Sequence, residues 1–147
     1  MTPKTLLLKN EIGKSTEKIQ EKLKVHKGEK IIEIHRIRSI KEIPFVIHLA
    51  FLPFEKCRSV LDADLENISL TSYIETVLGV SIAYAEETVL VLPAEQQEAR
   101  LLDIKKGFPV LVKEGISYDR NNIPIRYSIA KYRSDIARLK TTHKKEF

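Results

Sequence analysis

Two arginines separated by a single residue, Arg36 and Arg38, are the residues whose type and spacing most clearly suit chemistry. They lie in the run Ile31–Arg38, which predicts a β-strand, so alternation places both on the face that also carries Ile32 and Ile34. Burying guanidinium groups at the end of an apolar row costs free energy unless an anion pairs with them. That anion is either a carboxylate of this chain or a bound group such as a phosphate. The pattern alone leaves both possibilities open.

A second candidate feature is the segment Ser69-Leu70-Thr71. Ser69 is a predicted helix N-cap, which would bring two hydroxyl groups and the amides of the first turn to one place. The N-terminus of a helix favours anions. Ordinary capping explains the same residues without a ligand, so this segment supports an anion site without requiring one.

The last predicted strand has one apolar face and one polar face. The apolar face, expected to pack, carries Ile125, Tyr127 and Ile129. The polar face carries Arg126, Ser128, Ala130 and Tyr132. Such a face, polar with one small residue, fits either the wall of a pocket or a surface in contact with solvent.

Most other kinds of reactive site are not supported by the sequence. The histidines His26, His35, His48 and His143 lack the spacing of metal ligands, and no cofactor motif is present. His48 interrupts an apolar strand, where a hydrogen-bonded core residue and a ligand-binding residue are both reasonable. Glu86 and Glu87 point to opposite faces of their predicted strand. Cys57 has no neighbour that would favour the thiolate.

Composition sets bounds without naming a function. The chain has 147 residues, of which 43% are hydrophobic, with a formal net charge of +5. These values fit one domain with a real core. No run approaches the roughly 18 apolar residues of a membrane span, and a single cysteine is consistent with a reducing cytoplasm. Basic residues cluster near the end, namely Lys131, Arg133, Arg138, Lys140, Lys144 and Lys145.

The elements that must position these residues are predicted as strands interrupted by short helices. The predicted strands are Thr5–Leu8, Lys30–Ser39, Phe45–Leu52, Val80–Leu92, Phe108–Tyr118 and Pro124–Arg133. The predicted helices are Thr16–Leu23, capped by Ser15, then Leu70–Leu78, and Ala94–Leu102, opened by Pro93. We expect a loop with irregular turns through Asp62 and Asp64. This order indicates an α+β domain with a largely antiparallel sheet and helices packed on it.

Several short sequence motifs lie along residues 30–138, and their order and spacing are more specific than any one of them. They are Glu33-x-x-Arg36-x-Arg38, Pro44, Phe51-Leu52-Pro53, Asp64-Leu65, Ser69-Leu70-Thr71, Leu78-Gly79, Gly107-Phe108-Pro109-Val110-Leu111, Tyr118-Asp119, Pro124-Ile125-Arg126-Tyr127-Ser128 and Tyr132-Arg133-Ser134-Asp135. Together they resemble the effector-binding (UTRA) domain of GntR-type transcriptional regulators of the HutC subfamily. Residues 1–29 resemble the lead-in strand and helix of that domain, and residues 30–147 the domain proper.

The resemblance implies a chorismate-lyase-like α+β fold and a role as a small-molecule sensor rather than an enzyme. It also implies a cytoplasmic homodimer in which the ligand controls DNA binding by an N-terminal winged helix-turn-helix. That helix-turn-helix is absent from these 147 residues, which we expect to be a fragment or a stand-alone sensor.

The resemblance also implies roles for individual residues. In members that bind amino-sugar phosphates, arginines placed like Arg36 and Arg38 hold the phosphate, helped by the positions of Ser69 and Thr71. The sugar contacts the positions of His48, Arg126 and Tyr132, beside which Ser128 lies on the same strand face. Those members carry tyrosine at the Thr71 position and acids at the positions of His48 and Arg126. These departures favour a ligand with a second anionic group, or a neutral phosphosugar, over an amino sugar.

Two alternatives from other classes remain open at this point. The first is a chorismate-lyase-like enzyme, because the same fold hosts that activity. The second is a basic nucleic-acid-binding module, suggested by the lysines near the C-terminus, whose binding would fall steeply with salt.

Overall fold

The computed structural model describes residues 2–140 and Thr142. His143, Lys144 and Lys145, which entered the sequence predictions, lie outside the described residues. The described chain forms a six-stranded sheet in which every neighbouring pair of strands is antiparallel, with the strand order β1-β2-β3-β6-β5-β4. The strands are β1 Lys4–Lys14, β2 Lys30–Ile40, β3 Ile43–Pro53, β4 Ile82–Pro93, β5 Pro109–Asp119 and β6 Pro124–Arg133.

Four α-helices and one 3-10 helix connect these strands. The α-helices are α1 Glu17–Leu23, α2 Phe54–Cys57, α3 Leu70–Thr76 and α4 Gln96–Leu102, and the 3-10 helix is Arg58–Asp62. The predicted α+β class with a largely antiparallel sheet is therefore confirmed.

Two predicted helix starts were wrong by one or two residues. Thr16, not Ser15, caps α1, because its extended backbone directs Oγ1 to accept from the amide of Ile19 at 3.3 Å. Pro93 ends β4 instead of opening α4, which is capped by Glu95 in a capping box. In both places the sequence offers more than one possible first residue, and the residue whose extended backbone places its side chain over the first turn is the N-cap.

The predicted loop after β3 was wrong in a more informative way. This stretch forms α2 and the 3-10 helix, and it buries Cys57, Val60 and Leu65. Each helix is about one turn long, too short to produce a helical repeat of apolar residues. Burial of these three side chains against the sheet stabilises the turns, which are marginal in isolation.

The sheet carries helices on both faces. On one face, α2, the 3-10 helix and α3 cover apolar residues of β2 and β3, namely Ile32, Ile34, Ala50 and Leu52. On the other face, α1 packs on Ile31, Phe51 and Tyr127, and α4 packs beside Val110 and Val112. None of the helices in the described chain is both long and apolar enough to span a bilayer.

Candidate functional site

A cavity of about 470 Å³ lies where α3 and the loop before it meet the sheet. This volume falls within the range of small-molecule sites. Its wall includes seven of the residues predicted from the sequence, Arg36, Arg38, His48, Ser69, Thr71, Arg126 and Ser128. These residues come from β2, β3, β6 and α3, so the fold brings together side chains that are up to 92 positions apart in the chain.

Arg36 and Arg38 form one end of the cavity. Arg36 is paired with His48 of β3, and His48 with Ala130 of β6, so these side chains share one face of the sheet. Within the described residues, no carboxylate lies within 4.0 Å of either guanidinium group. The Nε atom of Arg36 is buried without a hydrogen-bond partner. The internal ion pair that the sequence left open is therefore absent from the described structure.

Arg126 forms the other end of the cavity. Its Nη1 donates to the hydroxyl of Thr71 on α3 at 2.8 Å, and its Nη2 donates to the hydroxyl of Ser117 on β5 at 3.2 Å. Both acceptors are neutral. Its Nε is buried and unpartnered. Burial lowers the pKa of Arg126 below its ordinary value, and Glu75 and Glu87 partly oppose this effect. As an arginine it nevertheless keeps its charge.

His48 lies between these groups and is neutral at physiological pH. Burial lowers its pKa to about 4, and the charges of Arg36, Arg38, Arg126 and Lys113 act in the same direction. A neutral imidazole can both donate and accept a hydrogen bond. His48 can therefore contact a hydroxyl group of a ligand without adding a further positive charge to the cavity.

Ser69 and Thr71 place hydroxyl groups at the α3 side of the cavity. Ser69 caps α3 by accepting from the amide of Ser72 at 3.2 Å, as predicted. Thr71 accepts from Arg126. Ser128 lines the wall between the two ends, since it pairs with Ala50 in the register of β3 and β6.

Tyr132 lies apart from this cavity. It lines a second, mostly apolar depression with Val89, Leu111 and Ile136. Its ring meets that of His48 edge-on, with a centroid distance of 6.3 Å. Tyr132 can therefore hold the ring of His48 in place through this contact. The structure does not bring Tyr132 itself to the cavity wall.

The sequence predictions missed the loop that closes the cavity. Glu66, Asn67 and Ile68 contribute to the wall, as do Pro3 and Thr5 at the start of the chain. Glu66 Oε2 accepts from the backbone amide of Leu7 at 2.7 Å and so holds this loop against β1. A loop has no periodic pattern, and only the pairing of Thr5 with Arg38 across β1 and β2 could have indicated that the first residues lie close to the site.

The other titratable residues considered in the sequence analysis lie outside the cavity. His35 contacts Glu33 at 2.9 Å on the sheet face opposite the cavity. Cys57 is buried, and burial raises its pKa to about 11, so it stays a thiol. Lys131 is paired with Glu98 at 2.5 Å and Arg133 with Asp135 at 2.8 Å. Two of the basic residues clustered near the end of the chain, one of them a lysine, are thus already paired with carboxylates.

Comparison with curated proteins gives transcription regulators. The chain is 28% identical over 135 residues to the HTH-type transcriptional repressor NagR of Bacillus subtilis, covering 92% of this chain and 55% of that protein. It is 27% identical over 137 residues to the HTH-type transcriptional regulator GgaR of Escherichia coli K12, covering 91% of this chain and 52% of that protein. The chain therefore spans about half the length of the curated relatives it matches.

Comparison with solved structures supports the fold. A GntR-family transcriptional regulator from Enterococcus faecalis superposes with a TM-score of 0.88 at 23% identity, covering 95% of this chain and 99% of that one. The C-terminal domain of the histidine utilization repressor from Pseudomonas syringae gives a TM-score of 0.91 at 17% identity, covering 98% of this chain and 100% of that one. The expected chorismate-lyase-like fold is confirmed.

The decisive match is to a family. The sequence model described as the UTRA domain matches residues 1–138, which include every strand, every helix and every residue of the cavity wall. The resemblance drawn from the sequence motifs is thereby confirmed: the chain belongs to the UTRA domain family.

Proposed function

We propose that this domain is the small-molecule sensor of a bacterial, cytoplasmic transcription regulator, and that it binds an anionic, phosphorylated sugar-like metabolite in the cavity between α3 and the sheet. One observation carries the proposal. Arg36 and Arg38 line the cavity, and no carboxylate of the described residues lies within 4.0 Å of either group. Unpaired guanidinium groups at a cavity wall are suited to bind an anion.

The polar side chains of the wall have separate roles in this proposal. Arg36 and Arg38 hold the phosphate, and the hydroxyl group of Ser69 adds a neutral hydrogen-bonding partner. The hydroxyl group of Thr71, which accepts from Arg126, lies nearer the other end of the ligand. Charge-assisted hydrogen bonds of this kind contribute roughly 1.5–3 kcal/mol each. His48 and Ser128 face the body of the ligand, so the specificity for its hydroxyl groups lies on β3 and β6.

Ligand binding controls DNA binding, in this proposal, through a winged helix-turn-helix that is not among these 147 residues. The cavity is formed by α3, its preceding loop and residues of four strands, so the ligand contacts separate elements at once. Only a difference in ligand affinity between two arrangements of these elements can shift a regulator between DNA-bound and free states. The named regulators among the relatives support this role over an enzymatic one.

The domain acts as a homodimer in this proposal, and strand β4 is the proposed contact. β4 is an edge strand of 12 residues with side chains exposed on both faces, including Val89, Val91 and Leu92. A long, apolar edge strand is normally protected by pairing or by a covering element. A second copy related by a two-fold axis presents the same strand in the antiparallel direction, which makes it the occupant we propose.

A thermal-shift screen of phosphosugars and organic acids tests the sensor function. A ligand at 100 times its Kd stabilises the folded protein by about 2.7 kcal/mol, which raises Tm by roughly 5–10 °C for a domain of this size. We expect Arg38→Ala to abolish the shift, because it removes half of the proposed phosphate clamp. Arg120→Ala is the matched control, since Arg120 is exposed in the β5–β6 turn and the variant loses the same charge. A full response of Arg38→Ala to the same ligand would show that the clamp is misassigned.

A further inference from the structure

The Cα atoms of the three cavity arginines lie at two separate positions on the sheet. Arg36 lies at the level of Ala130 on β6, because Arg36 pairs with His48 and His48 pairs with Ala130. Arg126 stands on β6 four residues before Ala130, which is about 14 Å along the strand. It also lies two strands away from Arg36, about 10 Å across the sheet. The Cα atom of Arg126 thus lies well away from that of Arg36, although the charge of Arg126 still acts on the Arg36 guanidinium group.

The contacts of Arg126 keep its side chain at its own end of the cavity. Ser117, which accepts from Nη2, lies on β5, the strand on the far side of β6 from β2. Thr71, which accepts from Nη1, lies on α3 above it. A guanidinium group has five N–H donors, and these two contacts use one on each Nη atom. One donor on each Nη atom is not used by these contacts, and Nε is buried without a partner.

The charges in the cavity are unbalanced. In the part of the chain that the structure describes, Arg36, Arg38 and Arg126 have no carboxylate within 4.0 Å. The carboxylate of Glu66 also lines the wall, where it accepts from the amide of Leu7 and lies more than 4.0 Å from each of these guanidinium groups. The proximity of Arg126 and Arg38 adds to burial in lowering the pKa of Arg36 below its ordinary value. The cavity wall therefore carries three mutually repelling cations.

We propose that the ligand of this domain carries two anionic groups joined by a spacer, one bound by Arg36 and Arg38 and the other by Arg126. Ser128, on the wall between the two ends, faces the spacer. This inference rests on the proposed sensor function and narrows its ligand class to phosphorylated acids and other two-ended anions. A terminal ammonium group is excluded at the Arg126 end by charge repulsion. The different backbone positions of the arginines, and the separate hydrogen-bonding partners of Arg126, favour two anionic groups over one anion shared by all three.

A series of α,ω-alkane bisphosphonates of increasing chain length tests the proposal against the matching alkyl monophosphonates. Their affinities are measured by isothermal titration calorimetry at fixed ionic strength. We expect one chain length at which the bisphosphonate binds at least tenfold more tightly than its monophosphonate. In Arg126→Gln this preference should fall to the statistical factor of about two, because the bisphosphonate loses more affinity than the monophosphonate. Arg120→Gln, which loses the same charge outside the cavity, should keep the full preference.

Anomalous diffraction from wild-type crystals soaked in selenate locates the anions directly and does not depend on the stability of a variant. We expect two peaks in the wild-type cavity, one against Arg36 and Arg38 and one against Arg126. Arg126→Gln should lose only the second peak. A single peak at Arg36 and Arg38, together with equal affinity for bisphosphonates and monophosphonates at every chain length, would overturn the two-anion proposal and leave the sensor function standing. Absence of both peaks and of any phosphonate binding would instead refute the sensor function itself.

Discussion

His48 shows how strongly single residues at this site depend on one another. It is half-buried among cationic neighbours, and its ring rests against Tyr132. Protonation of His48 would add a further positive charge to a cavity that already holds three guanidinium groups. The imidazole therefore acts as a neutral hydrogen-bonding group whose charge state is set by the rest of the wall.

The pH dependence of the free energy of unfolding should reveal the lowered pKa of His48. The pKa of His48 is lowered to about 4 in the folded state, while in the unfolded chain it is about 6.5. The unfolded state then binds more protons between these values, so stability is complete above pH 6.5 and is lost as the pH falls towards 4. We expect the wild type to lose roughly 2–3 kcal/mol more than His48→Gln over this interval. Urea denaturation of both proteins across pH 4–7 measures the difference, and parallel pH curves would contradict it.

Alternation along strands made the arginines predictable, and its limits explain what was missed. Arg36 and Arg38 could be assigned to one face of β2 because a strand has a period of two. The same rule placed Tyr132 on the face of Arg126 but could not show that the cavity ends before Tyr132 is reached. The extent of a cavity depends on the elements that cover the sheet. Here the covering loop with Glu66 carries no periodic signal.

Among the elements, the strands were predictable and the short covering helices were not. Apolar runs and alternating faces predicted the cores of all six strands, and pairing extended β1 from the expected Thr5–Leu8 to Lys4–Lys14. The helix α3 was recognisable from Ser69, which ends the preceding loop with a capping hydroxyl. The 3-10 helix after β3 gave no local signal, because contacts with the sheet, distant in sequence, stabilise it.

The turn between β2 and β3 shows an element formed against local preference. Lys41 and Glu42 both have positive φ, 51° and 65°. Such a two-residue turn matches the twist of the hairpin but favours Asn-Gly. Left-handed conformations cost ordinary residues roughly 1–2 kcal/mol. Flanking strand pairs, ending with Ile40 and Ile43, must offset this cost.

Relieving that strain should stabilise the domain. We expect the double variant Lys41→Asn, Glu42→Gly to be more stable than wild type by about 1 kcal/mol, because both residues then tolerate positive φ. Guanidinium denaturation with unchanged m-value would measure the gain. The variant Lys41→Asn, Glu42→Ala is the control, since alanine keeps the penalty at the second position. If both variants had equal stability, the turn would not be strained at Glu42.

At the scale of the whole molecule, the exposed strand β4 leads to a prediction about assembly. Val91 is 62% exposed near the end of this edge strand. In the proposed homodimer a second copy covers it. Val91→Glu places a charge in that contact, so we expect it to shift the protein from dimer to monomer.

Size-exclusion chromatography with light scattering measures the mass of each variant. Leu6→Glu serves as the control, because Leu6 is 56% exposed on β1, at the opposite edge of the sheet. This control should remain dimeric. A wild-type protein that stays monomeric at high concentration would rule out the proposed assembly.

The ladder between β3 and β6 has a consequence for how the domain folds. Strands β1 to β3 and β4 to β6 each form a local meander, and only this ladder joins the two halves within the sheet. Arg36 and His48 belong to the first half, whereas Arg126 and Ser128 belong to the second. The cavity wall therefore spans the junction, and neither half can form it alone. Because the ladder joins strands far apart in sequence, its closure is a slow kind of folding event. A metabolite that contacts both halves would bind only after that event and would lower the rate at which the halves separate.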